Sequence, residues 1–146
     1  MKRALVLVFA LAAAGFIAAA GSAGHTERSG ALYVTKLCGD YHGLAGESCT
    51  IKSSNLNAIK AGSRVVYTSA VDPSSGVLDS DLVIDGPGHN TAFGHVVLDT
   101  STFTGVVTLS GGTGVFTHLQ AGPLMVACPA FPKCSWDGPY SFTPPN

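Results

Sequence analysis

Charge is scarce in this chain. Of its 146 residues only 8 are Lys or Arg and 9 are Asp or Glu, a formal net charge of −1. No basic stripe stands out, which argues against nucleic acid and anionic membrane surfaces as partners, since both need clustered cations. Helical periodicity is missing beyond the first two dozen or so residues, so a helical bundle does not fit. Catalytic signatures are missing too: the sequence has no G-x-S-x-G, no H-E-x-x-H and no H-x-H. Cysteine is limited to four residues, and their spacings are wider than the C-x2-4-C pairs of a zinc site. No metal or cofactor is expected.

A long apolar run occurs once, at the start. Met1-Lys2-Arg3 is basic, residues 4–20 are apolar, and Gly21-Ser22-Ala23 is small. That order describes a secretory signal peptide over residues 1–23, with cleavage favoured after Ala23 over Ala20. A retained anchor fits less well, because the run is at the short end of a membrane span and small residues close it. The expected mature protein is secreted and free of the membrane. Losing Lys2 and Arg3 leaves 6 basic against 9 acidic residues, a net of about −3.

Glycine, by contrast, is plentiful at 18 residues, and short β-branched runs alternate with turns. After a loose leader at 24–30, residues 31–146 read as one β domain. Candidate strands cover 32–35, 50–51 with 54–56, 64–68, 78–84, 91–98, 106–110, 115–120, 124–127 and 140–142. About eight short strands at regular spacing predict a closed barrel or a β-sandwich. Val65-Val66, Val96-Val97-Leu98 and Leu124-Met125-Val126 are apolar at consecutive positions, as expected where both faces are covered.

Four cysteines allow three pairings. Cys38 with Cys49 and Cys128 with Cys134 is the favoured set, because each pair would close a turn-rich loop. An oxidising compartment follows from that pairing.

Leu109-Ser110-Gly111-Gly112-Thr113-Gly114-Val115-Phe116 is a strand running into a glycine turn. A phosphate loop would need a following Lys and Ser/Thr and a helix, whereas Val115-Phe116-Thr117 follows. Gly111, Gly112 and Gly114 therefore read as a structural turn. This turn resembles the G-G-[TS]-G-x-F turn of plant dirigent proteins and allene oxide cyclases, and Gly94-His95-Val96-Val97-Leu98 is similar to the strand preceding it there. Segments such as Gly62-Ser63-Arg64-Val65-Val66-Tyr67 and Asn90-Thr91-Ala92-Phe93-Gly94-His95 resemble small exported microbial proteins assigned to the same superfamily. The resemblance implies an eight-stranded antiparallel barrel with a lined cavity. Ala121 stands where the plant families usually carry a glycine, and none of their catalytic residues can be placed here.

Tyr67, Asp81, Phe93, His95, Phe116, Trp136 and Tyr140 are the candidate cavity residues. Aromatics can line a barrel too wide to be filled, and His and Asp can steer a bound molecule. Asp79, Asp81 and Asp85 share one face of a regular strand, which is most simply a solvated outer face. Three functions fit: a binding barrel for a small apolar ligand or a structural module; a cofactor-free isomerase, cyclase or dirigent-like guide using His95, Tyr67 and Asp81; or an interaction protein using an outer face or a strand edge.

Overall fold

Strands in this chain turn apolar residues such as Leu32, Val34, Leu82 and Ile84 inward at alternate positions, and the ladder they form closes on itself. A computed structural model describes residues 28–143. Its strands are β1 (Ser29–Leu37), β2 (Ser48–Ser54), β3 (Arg64–Tyr67), β4 (Val77–Asp85), β5 (Thr91–Asp99), β6 (Thr104–Gly112), β7 (Leu119–Ala130) and β8 (Lys133–Phe142). Each pairs antiparallel with the next, and β8 pairs with β1 along its length, from Ser29 opposite Ser141 to Leu37 opposite Lys133. The result is a closed eight-stranded antiparallel barrel rather than a sandwich. Closure leaves no free strand edge among the described residues, so an edge-pairing interaction is not available to it.

Several boundaries differ from the sequence reading. Residues 1–23, read as a signal, lie outside the described residues. β1 begins at Ser29, inside the stretch read as leader, because Ser29 and Gly30 pair with Ser141 and Tyr140. Val115 belongs to a short 3-10 turn, Gly114–Phe116, and the segments around 119 and 126 form the single strand β7. β8 starts at Lys133 rather than Tyr140, because Lys133 pairs with Ala130 just beside the Cys128–Cys134 bridge.

The barrel interior is filled at one end and partly open at the other. Leu32, Val34, Ile51, Val65, Leu82, Ile84, Leu109, Leu119, Leu124 and Trp136 are buried inward positions of the strands. Leu56 and Ile59 fold in from the β2–β3 loop, and Phe116 turns in after β6, so the base is plugged. The glycine turn sits at this base. Gly111 and Gly114 hold φ of +91° and +56°, which a side chain disfavours. Asn90 clasps the turn: its Oδ1 accepts from Val115 N and its Nδ2 donates to the Pro87 carbonyl.

Consecutive apolar residues do not mean two covered faces here. Val97 pairs with Val106 and Val106 with Met125 across β5, β6 and β7, and all three side chains are exposed on the outer wall.

Candidate functional site: a cavity at the disulfide-bound rim

The β1–β2, β3–β4, β5–β6 and β7–β8 loops all leave the barrel at the end opposite the plugged base. A cavity of about 310 Å³ opens between them. Leu78, Val96, Leu98 and Val126 form its walls, and Val71 and Thr100 reach in from loops. Phe103 and Phe131 stand beside the mouth with rings stacked 5.0 Å apart. The volume is near the lower limit of ligand pockets, about 300–1,000 Å³.

Both disulfides border this cavity. Cys38–Cys49 joins the end of β1 to the start of β2, and Cys128–Cys134 closes the β7–β8 hairpin. This is the pairing favoured from the loops, and it consumes the thiolates that a zinc site would have used. The rim is also held by Cys38 N donating to the Pro132 carbonyl. Within the β1–β2 loop, the Glu47 carboxylate accepts from the backbone N–H groups of His42 and Leu44 and meets the His42 ring at 3.2 Å. Those backbone donors, Leu44 before His42, hold Glu47 below the ordinary carboxylate range.

One cation lies inside the apolar chamber. β1 turns Leu32, Val34 and Lys36 to the interior in alternation, with Cys38 in phase just beyond it, and Lys36 is only 6% exposed. Its Nζ donates to the Tyr67 hydroxyl at 2.5 Å. It also lies 4.9 Å from the Trp136 ring centroid and 5.2 Å from that of Tyr67, within cation–π range. Among the described residues, no Asp or Glu lines the cavity. Burial without a counter-charge pushes the Lys36 ammonium down from 10.5 to about 7. Burial likewise drives the Tyr67 phenol well above its ordinary value, with Tyr41 adding to the effect. Tyr41 packs its ring 5.0 Å from that of Tyr67 and is raised to about 12 by burial and by Glu47. The Tyr41 hydroxyl is buried and has no hydrogen-bond partner among the described residues; the same holds for Trp136 Nε1.

The seven candidate residues separate into three groups. Tyr67 lines the cavity. Trp136, Phe116 and Tyr140 point inward but belong to the packed interior, Trp136 beneath Lys36, Phe116 in the base plug and Tyr140 beside Gly30 near the same base. Asp81, Phe93 and His95 were expected inside and are instead on the outer wall. β4 and β5 place Leu82 and Val96 inward, so their neighbours Asp81 and His95 must face out, and Phe93 is 47% exposed. There His95 bridges two carboxylates, Nε2 to Asp79 at 2.8 Å and Nδ1 to Asp81 at 2.9 Å. These hydrogen bonds, that of Asp81 foremost, raise the His95 pKa. Asp79, Asp81 and Asp85 thus share a solvated outer face. Because the barrel wall separates Tyr67 from His95 and Asp81, the three cannot act together on one bound molecule.

Sequence reasoning missed Lys36 and Tyr41. A comparison with known protein families, curated proteins and solved structures finds no significant match.

Proposed function

We propose that the protein is a secreted barrel that binds a small, largely apolar molecule in the rim cavity. The observation that carries this reading is the cavity itself: apolar walls, two flanking phenylalanines, and a few convergent polar groups in Lys36, Tyr67 and Tyr41. Eight strands enclose an interior wide enough for one small ligand when side chains do not fill it. Secretion is supported by the basic-apolar-small order of residues 1–23 and by two disulfides, which persist in oxidising compartments. Kinship with the allene oxide cyclase and dirigent-like barrels is part of the proposal, supported by the barrel and the glycine turn.

Native mass spectrometry and ligand-observed NMR with a panel of small aromatic and aliphatic probes test the reading. Leu98 lines the cavity and is only partly buried, so Leu98→Trp fills the space. Saturable binding by the wild type that Leu98→Trp abolishes, with unchanged circular dichroism, is the expected result. Equal binding by both proteins places the ligand elsewhere and overturns the proposal.

A further inference from the structure

A lysine inside an apolar chamber usually has a carboxylate beside it, because an unpaired buried cation is costly. Here the neighbours are a phenol and two aromatic rings. The carboxylate at the mouth does not supply the missing partner: Glu47, beside His42 on the cavity border, is bound to that loop's own N–H groups. Burial with no carboxylate alongside favours the neutral amine, which is the nucleophilic form, against the weaker cation–π pull of the two rings. The second observation is Tyr41, a cavity residue whose ring packs on Tyr67 and whose buried hydroxyl has no partner among the described residues.

We propose that Lys36 is a nucleophile that captures a small apolar aldehyde or ketone in the cavity as an imine. This rests on the ligand-binding reading above and names the substrate class. The Nζ lone pair attacks the carbonyl carbon, a C–N bond forms, and the C=O π electrons move to oxygen. One proton passes from nitrogen to that oxygen, with the Tyr67 hydroxyl placed to relay it. A second proton then lets the C–O bond break with loss of water, and nitrogen gives up its remaining proton as the C=N bond forms. Amine plus carbonyl gives imine plus water, and nothing is oxidised or reduced. The Tyr41 ring lines the cavity and packs on Tyr67, so it fixes the phenol that relays the proton. Apolar walls limit competing water and select a carbonyl compound without charge.

The test uses benzaldehyde with cyanoborohydride at pH 7 on the disulfide-bonded protein, followed by intact mass and peptide mapping. Hydride reduces the imine to a secondary amine, so one label adds the probe's mass less one oxygen. Exposed Lys52, Lys60 and Lys133 are internal references. The expected result is labelling at Lys36 at least tenfold faster than at any other amine of the chain, lost in Lys36→Met. Benzyl alcohol, which cannot form an imine, reports noncovalent occupancy by NMR in parallel. Benzyl alcohol bound in the cavity without preferential Lys36 labelling overturns the imine proposal and leaves the binding reading intact. Neither binding nor labelling overturns both. Should Lys36→Met fail to fold, the wild-type map decides alone, since labelling spread evenly over the lysines sinks the proposal.

Discussion

A Cβ built on Gly114 would lie 1.9 Å from Asn90 Oδ1, so the glycine turn and the Asn90 side chain are fitted to each other with no room for a methyl group. Gly114 also holds φ of +56°, and the displaced oxygen is the acceptor for Val115 N. Gly111 holds φ of +91° with open space where its Cβ would be. The two glycines therefore separate conformational strain from collision.

Gly111→Ala should cost about 1–2 kcal/mol, the left-handed penalty alone. Gly114→Ala should cost more, about 2–4 kcal/mol, because a clash and a lost turn hydrogen bond add to it. Urea denaturation of both variants measures this. Equal destabilisation would show that Asn90 moves aside freely.

Lys36 gives stability a distinctive pH dependence. Its folded pKa of about 7 lies below the unfolded value, so below pH 7 both states are protonated and the full burial penalty is present. Between pH 7 and about 10.5 only the unfolded chain holds the proton, so the penalty shrinks and stability rises with pH. Lys36→Met should remove that rise and raise stability at pH 6 by roughly 1–4 kcal/mol. Denaturant midpoints of both proteins from pH 6 to 10 decide it. Parallel curves would mean that the amine reaches water.

Legibility in the sequence followed how each strand declares its phase. In β1, Leu32 and Val34 set the inward phase and Lys36 continues it, whereas the candidate strand in the sequence ends at Thr35. Continuing the alternation by one step would have found the residue. Tyr67 is a candidate as an aromatic on a strand, and β3 turns it inward in phase with Val65. β5 misled in the opposite way. Its Val96-Val97-Leu98 run hides the alternation that turns Phe93 and His95 to the outer wall. Turn residues around each cysteine pair favoured the observed disulfides among three possible pairings, and strand spacing reached the barrel with a sandwich as the alternative. The expected cavity could not be placed at the rim from sequence, since its position and volume depend on how far eight strands leave that end unfilled.

The His95 bridge makes a smaller prediction of opposite sign. Its folded pKa is raised, so its contribution is full below the unfolded pKa of about 6.5 and fades as pH rises through the folded value. The three side chains are 44–79% exposed, and solvent screening limits the gain to about 0.5 kcal/mol or less. His95→Gln should lower stability slightly at pH 6 and leave pH 8.5 nearly unchanged. A variant equally destabilised at both pH values would point to packing instead.

Removing a disulfide should affect the cavity as well as stability. Each short loop contributes about 2–3 kcal/mol by chain entropy. Both half-cystine pairs border the cavity, so Cys128→Ser with Cys134→Ser should also weaken probe binding in the fraction that remains folded. Unchanged affinity would show that the strands alone shape the rim.

The two ends of the described chain meet at the base. Ser29 pairs with Ser141, and Phe142 N donates to the Arg28 carbonyl. The cavity opens at the far end of the same strands. The barrel is thus a cup carried by its foot. A fusion partner, tether or resin joined through Arg28 or Thr143 points the mouth outward, so such a protein can be displayed in dense arrays with every opening accessible.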